Sequence, residues 1–120
     1  MIDLGHTRVL LVVFGMPGCG ACDEFVPKFL QQVEAYKQRG VPFRVISASD
    51  KKVEPGEIPV MLYDAAADNE GLQDFADKLG ISATPTTCML TRWSGTTKIE
   101  GAISPAEVDG LLQAAVRANR

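Results

Sequence analysis

Arg8-Val9-Leu10-Leu11-Val12-Val13-Phe14 leads through Gly15-Met16-Pro17-Gly18 into Cys19-Gly20-Ala21-Cys22, and a helical pattern follows. The first run is continuous, apolar and rich in Val, which reads as a buried strand. Gly15–Gly18 reads as a turn. Beyond it Cys22, Phe25, Val26, Phe29, Val33 and Tyr36 recur at helical spacing, with an end expected near Gly40. Pro27 lies inside that helix, where a proline removes a backbone hydrogen bond and is expected to bend it. Two thiols three positions apart at a helix start can close a small disulfide ring. The first also sits where unpaired N–H groups and the positive end of the helix dipole favour a thiolate. The local sequence points to redox chemistry at Cys19 and Cys22.

Further along, Phe43–Ser47 and Ile58–Asp64 read as strands separated by a polar loop, Ser49–Glu57. Asp68 is an expected N-cap for a helix with an apolar face at Leu72, Phe75, Ala76 and Leu79, and Gly80 is its expected C′ residue. Thr86–Arg92 and Thr96–Glu100 form an expected hairpin that turns at Ser94-Gly95. Ser104-Pro105-Ala106-Glu107 spells a capping box with Pro at N1, and Val108, Leu111, Leu112, Ala115 and Val116 make the buried stripe that follows. Strand, helix, strand, strand, helix, hairpin, helix implies an α/β protein: a mixed sheet with helices on both faces and the first strand beside a parallel one.

A chain of 120 residues reads as one domain, 1–120, able to bury a core without disulfide staples. The formal charge of −3 offers no basic stripe for nucleic acid or an anionic membrane, and the longest basic cluster is Lys51-Lys52. No apolar stretch is long enough to span a bilayer, and Asp3 spoils the basic start of a signal peptide, so a cytoplasmic address is expected. In a reducing compartment a CxxC favours a catalytic pair over a structural staple. The other reading, a structural CxxC or half of a metal site, needs four converging ligands. The remaining candidates are His6 and Cys88, and His6 lies a strand's length away, about 25 Å; no metal is expected. His6 is read as a surface residue, Cys88 as core and Trp93 as a hairpin-end residue.

These residues together resemble the thioredoxin family. Phe14 precedes Cys19-Gly20-x-Cys22 at that family's spacing, and Pro27 falls five residues after Cys22. Leu79-Gly80-Ile81 precedes Ala83-Thr84-Pro85-Thr86, and Gly101 precedes the last helix. The resemblance implies a thioredoxin-like fold with a central mixed sheet of four to five strands and a cis-proline at Pro85 ahead of the hairpin. It covers roughly residues 8–38 and 58–116; the family's usual first strand and helix are missing, and Val41–Glu57 reads as an insertion whose strand, Phe43–Ser47, is expected to fill the vacant sheet edge. The departures are specific. Gly18 stands where the family usually has Trp, Ala21 where it has Pro, Val13 where it buries an Asp, and Met61 where it has a Lys.

The resemblance implies that Cys19 attacks a substrate disulfide and that Cys22 resolves the mixed disulfide. It also implies that the backbone of Thr84, beside Pro85, pairs with an extended substrate segment, with Gly18, Gly20 and Ala21 forming the rest of the rim. Met16 and Ile81 are expected to replace some of the contact surface lost with the tryptophan. An apolar Val13 removes the family's internal base and implies slow resolution, unless a water, Asp23 or Glu24 substitutes. The expected function is reduction of protein disulfides by a monomer with no cofactor beyond the Cys19–Cys22 disulfide, served by a thioredoxin reductase or an equivalent donor. Two alternatives stay open. One is a disulfide oxidase or isomerase, because this chemistry spans about −270 to −120 mV. The other is a non-catalytic subunit that lends the same surface to a larger assembly.

Overall fold

The structure is a computed structural model that describes residues 7–46, 53–64, 77–92 and 95–120. Its elements are β1 (Val9–Gly15), α1 (Gly20–Gln38), β2 (Phe43–Ile46), β3 (Ile58–Asp64), β4 (Thr86–Thr91), β5 (Gly95–Glu100) and α2 (Pro105–Ala118). The strands form one sheet in the order β2-β3-β1-β4-β5. β1 pairs parallel with β3 and antiparallel with β4, and β2 lies parallel to β3 at the sheet edge. The expected mixed sheet therefore has five strands, and the segment at Phe43 does occupy an edge.

Strand alternation splits the core in two. Val9, Leu11 and Val13 face α1 and α2, where they meet Phe25, Phe29, Val33, Val108 and Leu112. Leu10, Val12 and Phe14 face the opposite cluster, which holds Ile46, Val53, Met61, Tyr63 and Cys88. Leu79 and Ile81 pack against this second cluster. Residues 77–79 are helical and Gly80 follows with φ +68°, as expected for a C′ glycine. Asp68, Leu72, Phe75 and Ala76 of that expected helix lie outside the described residues, as do His6, Ser47, Lys51, Lys52, Trp93 and Ser94.

Local chemistry sets the ends of the elements. Ser104 Oγ accepts from the Glu107 N–H while Glu107 Oε1 accepts from the Ser104 N–H, which completes the capping box. Tyr36 ties α1 to α2 by donating to Asp109 Oδ1 at 2.6 Å. The loop before β3 is less polar than its sequence suggests. Val53 is buried in the second cluster, and the Glu57 carboxylate accepts from the Glu54 N–H and pairs with Arg44 of β2. The edge strand is thus joined to the core on both sides of its connection.

Candidate active site

The sheet's β1 ends at Gly15, and a tight reversal delivers the chain to α1. The Cys19 N–H donates to the Met16 carbonyl at 3.3 Å, with Pro17 and Gly18 between. Gly18 has φ +81°, so this is the Pro-Gly pattern of a type II turn. The glycine at this position thus has a backbone reason: an L side chain there is strained.

Cys19 is the N-cap of α1. It is bonded to Cys22, with Cα atoms 5.2 Å apart. Its sulfur accepts from the Cys22 N–H at 3.1 Å, so the first thiol position is held on a free N–H of the helix start. Cys19 is half-buried and Cys22, one turn deeper, is 5 % exposed. That asymmetry suits an outer sulfur that meets a partner and an inner one that waits.

Across from the disulfide, the Thr84 carbonyl oxygen lies 3.6 Å from Cys19 Sγ. The Thr84–Pro85 peptide is cis. The loop is held from both sides: Thr86 Oγ1 donates to the Ala83 carbonyl at 2.7 Å, and the Gly101 N–H donates to the Pro85 carbonyl at 2.8 Å. Residues 65 positions apart in sequence thus meet at one sulfur. Gly18, Gly20 and Ala21 are exposed around it, Thr84 is half-buried and Pro85 is buried. Met16, 46 % exposed, supplies an apolar rim; Ile81 is half-buried and packs toward the second core cluster.

Behind the disulfide lies a cleft of about 450 Å³ whose lining includes Cys22, Asp23, Val13, Gly15, Val26 and Leu62. Val13 is 1 % exposed, so the position expected to lack an acid lacks it in the interior. The register separates two neighbouring residues of β3. Met61 pairs with Val12 and faces the opposite cluster, whereas Leu62 pairs with Val13 and shares the cleft. Of the two acids after Cys22, Asp23 lines this cleft; Glu24 lines a smaller one of about 170 Å³ beside Ala21, Phe25 and Lys28.

Cys88 is fully buried in the second cluster, on the sheet face away from the disulfide. Burial pushes its thiol pKa up, against a smaller downward pull from Lys98, so it is a core residue and a poor nucleophile. Among the described residues no three metal-ligating side chains cluster. None of the described helices is long and apolar enough to cross a membrane.

A family model described as a thioredoxin-like domain matches residues 3–116. A search of curated sequences finds no significant match. Among solved structures, spinach chloroplast thioredoxin f in its short form is similar at 23 % identity and a TM-score of 0.56, covering 94 % of this chain and 78 % of that one. Fasciola hepatica thioredoxin is similar at 20 % identity and TM-score 0.56, covering 92 % and 81 %. Oxidised mitochondrial thioredoxin 3 of Saccharomyces cerevisiae gives 19 % identity and TM-score 0.58, covering 88 % and 78 %.

Proposed function

We propose a function on this premise: the chain belongs to the thioredoxin-like domain family. Within it the protein acts as a thiol–disulfide oxidoreductase that reduces protein disulfides, with Cys19 as nucleophile and Cys22 as resolving thiol. The observation that carries the reading is the setting of Cys19 Sγ. It is the outer sulfur of a disulfide, seated on the Cys22 N–H at the start of α1 and facing the Thr84 carbonyl.

In the reduced protein the helix start favours the Cys19 thiolate. That thiolate attacks one sulfur of the substrate disulfide and releases the other. Cys22 then attacks Cys19 Sγ, the substrate leaves reduced, and the Cys19–Cys22 disulfide remains. The exposed backbone of Gly18, Gly20 and Ala21, with Thr84 beside Pro85, supports docking of an extended substrate segment by strand-like pairing. A flavoprotein reductase of the thioredoxin type, or an equivalent donor, resets the pair. A monomer in a reducing cytoplasm fits this role.

Reduction of insulin disulfides by dithiothreitol is the test. Wild type accelerates it, Cys19→Ser abolishes the acceleration, and Cys22→Ser halts at a mixed disulfide on Cys19. Acceleration retained by Cys19→Ser refutes the reading. Direction is read from the equilibrium potential of the pair: about −230 mV or lower is a reductase, about −180 mV or higher an oxidase or isomerase.

A further inference from the structure

Three features of the sheet meet beside one sulfur. Val13 on β1 and Leu62 opposite it on β3 present apolar walls, and Gly15, next on the same face of β1, presents none. A Cβ at Gly15 would stand 3.7 Å from Cys22 Sγ and 3.8 Å from its Cβ, so the absent side chain is an absent cover over the inner cysteine. The space left is the cleft of about 450 Å³ that Cys22 helps to line.

Among the described residues the ionisable groups lining the cleft are few. α1 contributes Asp23 and β3 contributes Tyr63, both lining the cleft. β1 and the Met16–Gly18 turn contribute none. Asp23 is exposed. Its charge beside Cys22 opposes the thiolate.

We propose that the cleft replaces an internal base: it admits solvent up to the inner sulfur, itself only 5 % exposed, so that Cys22 ionises by proton exchange with bulk solvent and its thiolate is hydrated from the cleft before it attacks. The inference rests on the reading of Cys19 as nucleophile and Cys22 as resolving thiol. In the step, the Cys22 S–H bond breaks and the proton passes to solvent. The thiolate electron pair forms the bond to Cys19 Sγ. The bond between Cys19 and the substrate sulfur breaks, and its pair leaves with that sulfur, which is reduced and protonated by solvent. The two cysteines are oxidised to the disulfide.

The test mixes reduced protein with an aromatic disulfide whose released thiolate is coloured, in stopped flow. The first release reports attack by Cys19 and the second reports resolution by Cys22. Gly15→Leu fills the cleft, and the backbone there lies outside the left-handed region, so a side chain is admitted. The second phase is expected to slow about tenfold at neutral pH and its inflection to move up by about one pH unit, as desolvation of the thiolate requires, with the first phase within about twofold. Gly15→Ala gives a smaller change of the same sign and keeps the test open if the leucine does not fold. Asp23→Asn leaves the second phase equal or faster, because a repelling charge is gone. A second phase whose pH profile does not move in either glycine variant overturns the proposal. So does a tenfold loss in Asp23→Asn or Tyr63→Phe. A first phase that survives in Cys19→Ser overturns the functional reading and the proposal with it, whereas a normal first phase with an unmoved second overturns the cleft alone.

Discussion

Thr87→Val is expected to stabilise the protein, and the same change at its neighbour Thr86 to destabilise it. Both threonines are fully buried on β4. Thr86 Oγ1 donates to the Ala83 carbonyl at 2.7 Å, which holds the loop that faces Cys19. Thr87 Oγ1 has no hydrogen-bond partner among the described residues and sits between Val13 of β1 and Ile99 of β5 in the register. Val has the same branching at Cβ, so strand geometry and χ1 preference carry over. A buried hydroxyl with no partner costs about 1–3 kcal/mol. Its replacement by a methyl group in an apolar setting should return about 1–2 kcal/mol. At Thr86 a satisfied bond is lost, at a cost of about 1 kcal/mol. For a chain of this length each kcal/mol moves the melting midpoint by about 3–5 °C. Denaturant and thermal unfolding of the oxidised protein, with the disulfide intact in all variants, measure both. A Thr87→Val protein that melts below wild type would refute the reasoning, because the hydroxyl would then have to be satisfied.

Gly18→Trp, which installs the aromatic of the resembling motif, places a side chain at φ +81° and should cost about 1–2 kcal/mol in denaturant unfolding; an unchanged midpoint would mean that the turn relaxes freely. Tyr36→Phe removes the bond to Asp109 and should cost about 1.5 kcal/mol. Burial first, then the hydrogen bond and charge of Asp109, push the Tyr36 phenol above its ordinary value of 10.0. The native protein therefore keeps a proton that the unfolded chain has lost, so stability falls as pH rises past the unfolded value, and Tyr36→Phe should flatten that alkaline fall in pH-dependent melting. Val13→Asp buries a carboxyl at a 1 % exposed position and should cost about 2–4 kcal/mol near neutral pH. Burial raises an acid's pKa, so the cost should shrink as pH drops below about 4, where the carboxyl is neutral in both states; equal losses at both pH values would show the acid to be solvated.

What the sequence makes legible is what neighbouring residues decide among themselves. The continuous apolar run Val9–Phe14, the capping box at Ser104 and the N-cap position of Cys19 need no knowledge of distant strands. The meeting of Cys19 with Thr84 is long-range, and it was legible because the resemblance to thioredoxins links the two motifs. Elsewhere distance defeats the reading. Met61 and Leu62 differ by one residue, and a shift of one in a strand moves a side chain to the other face, so only the register with β1 tells which of them accompanies Val13. Val53 lies in a stretch of charged residues and glycine, yet the second core cluster has room for one apolar side chain from the connection between β2 and β3. Gly15 reads as an ordinary turn glycine until β3 and α1 are placed around it. Only then does its missing side chain define a space.

The departures from the resembling family bear on one another through that space. Had Val13 replaced an acid beneath a sealed cysteine, Cys22 would have to ionise in an apolar surrounding with nothing to take its proton, and desolvation would hold the thiol neutral. With Gly15 the same valine instead lines an open cleft, and the free energy of the thiolate is governed by hydration. The apolar pair Val13 and Leu62 then has a structural role: it fills the floor between α1 and the sheet without placing a charge where solvent does not reach. Gly18 acts on the other sulfur. By allowing the tight turn from Met16 it sets Cys19 at the N-cap, and by carrying no side chain it leaves the approach from outside open. Each glycine thus bears on one partner of the disulfide, Gly18 on the sulfur that meets substrate and Gly15 on the sulfur that must lose a proton.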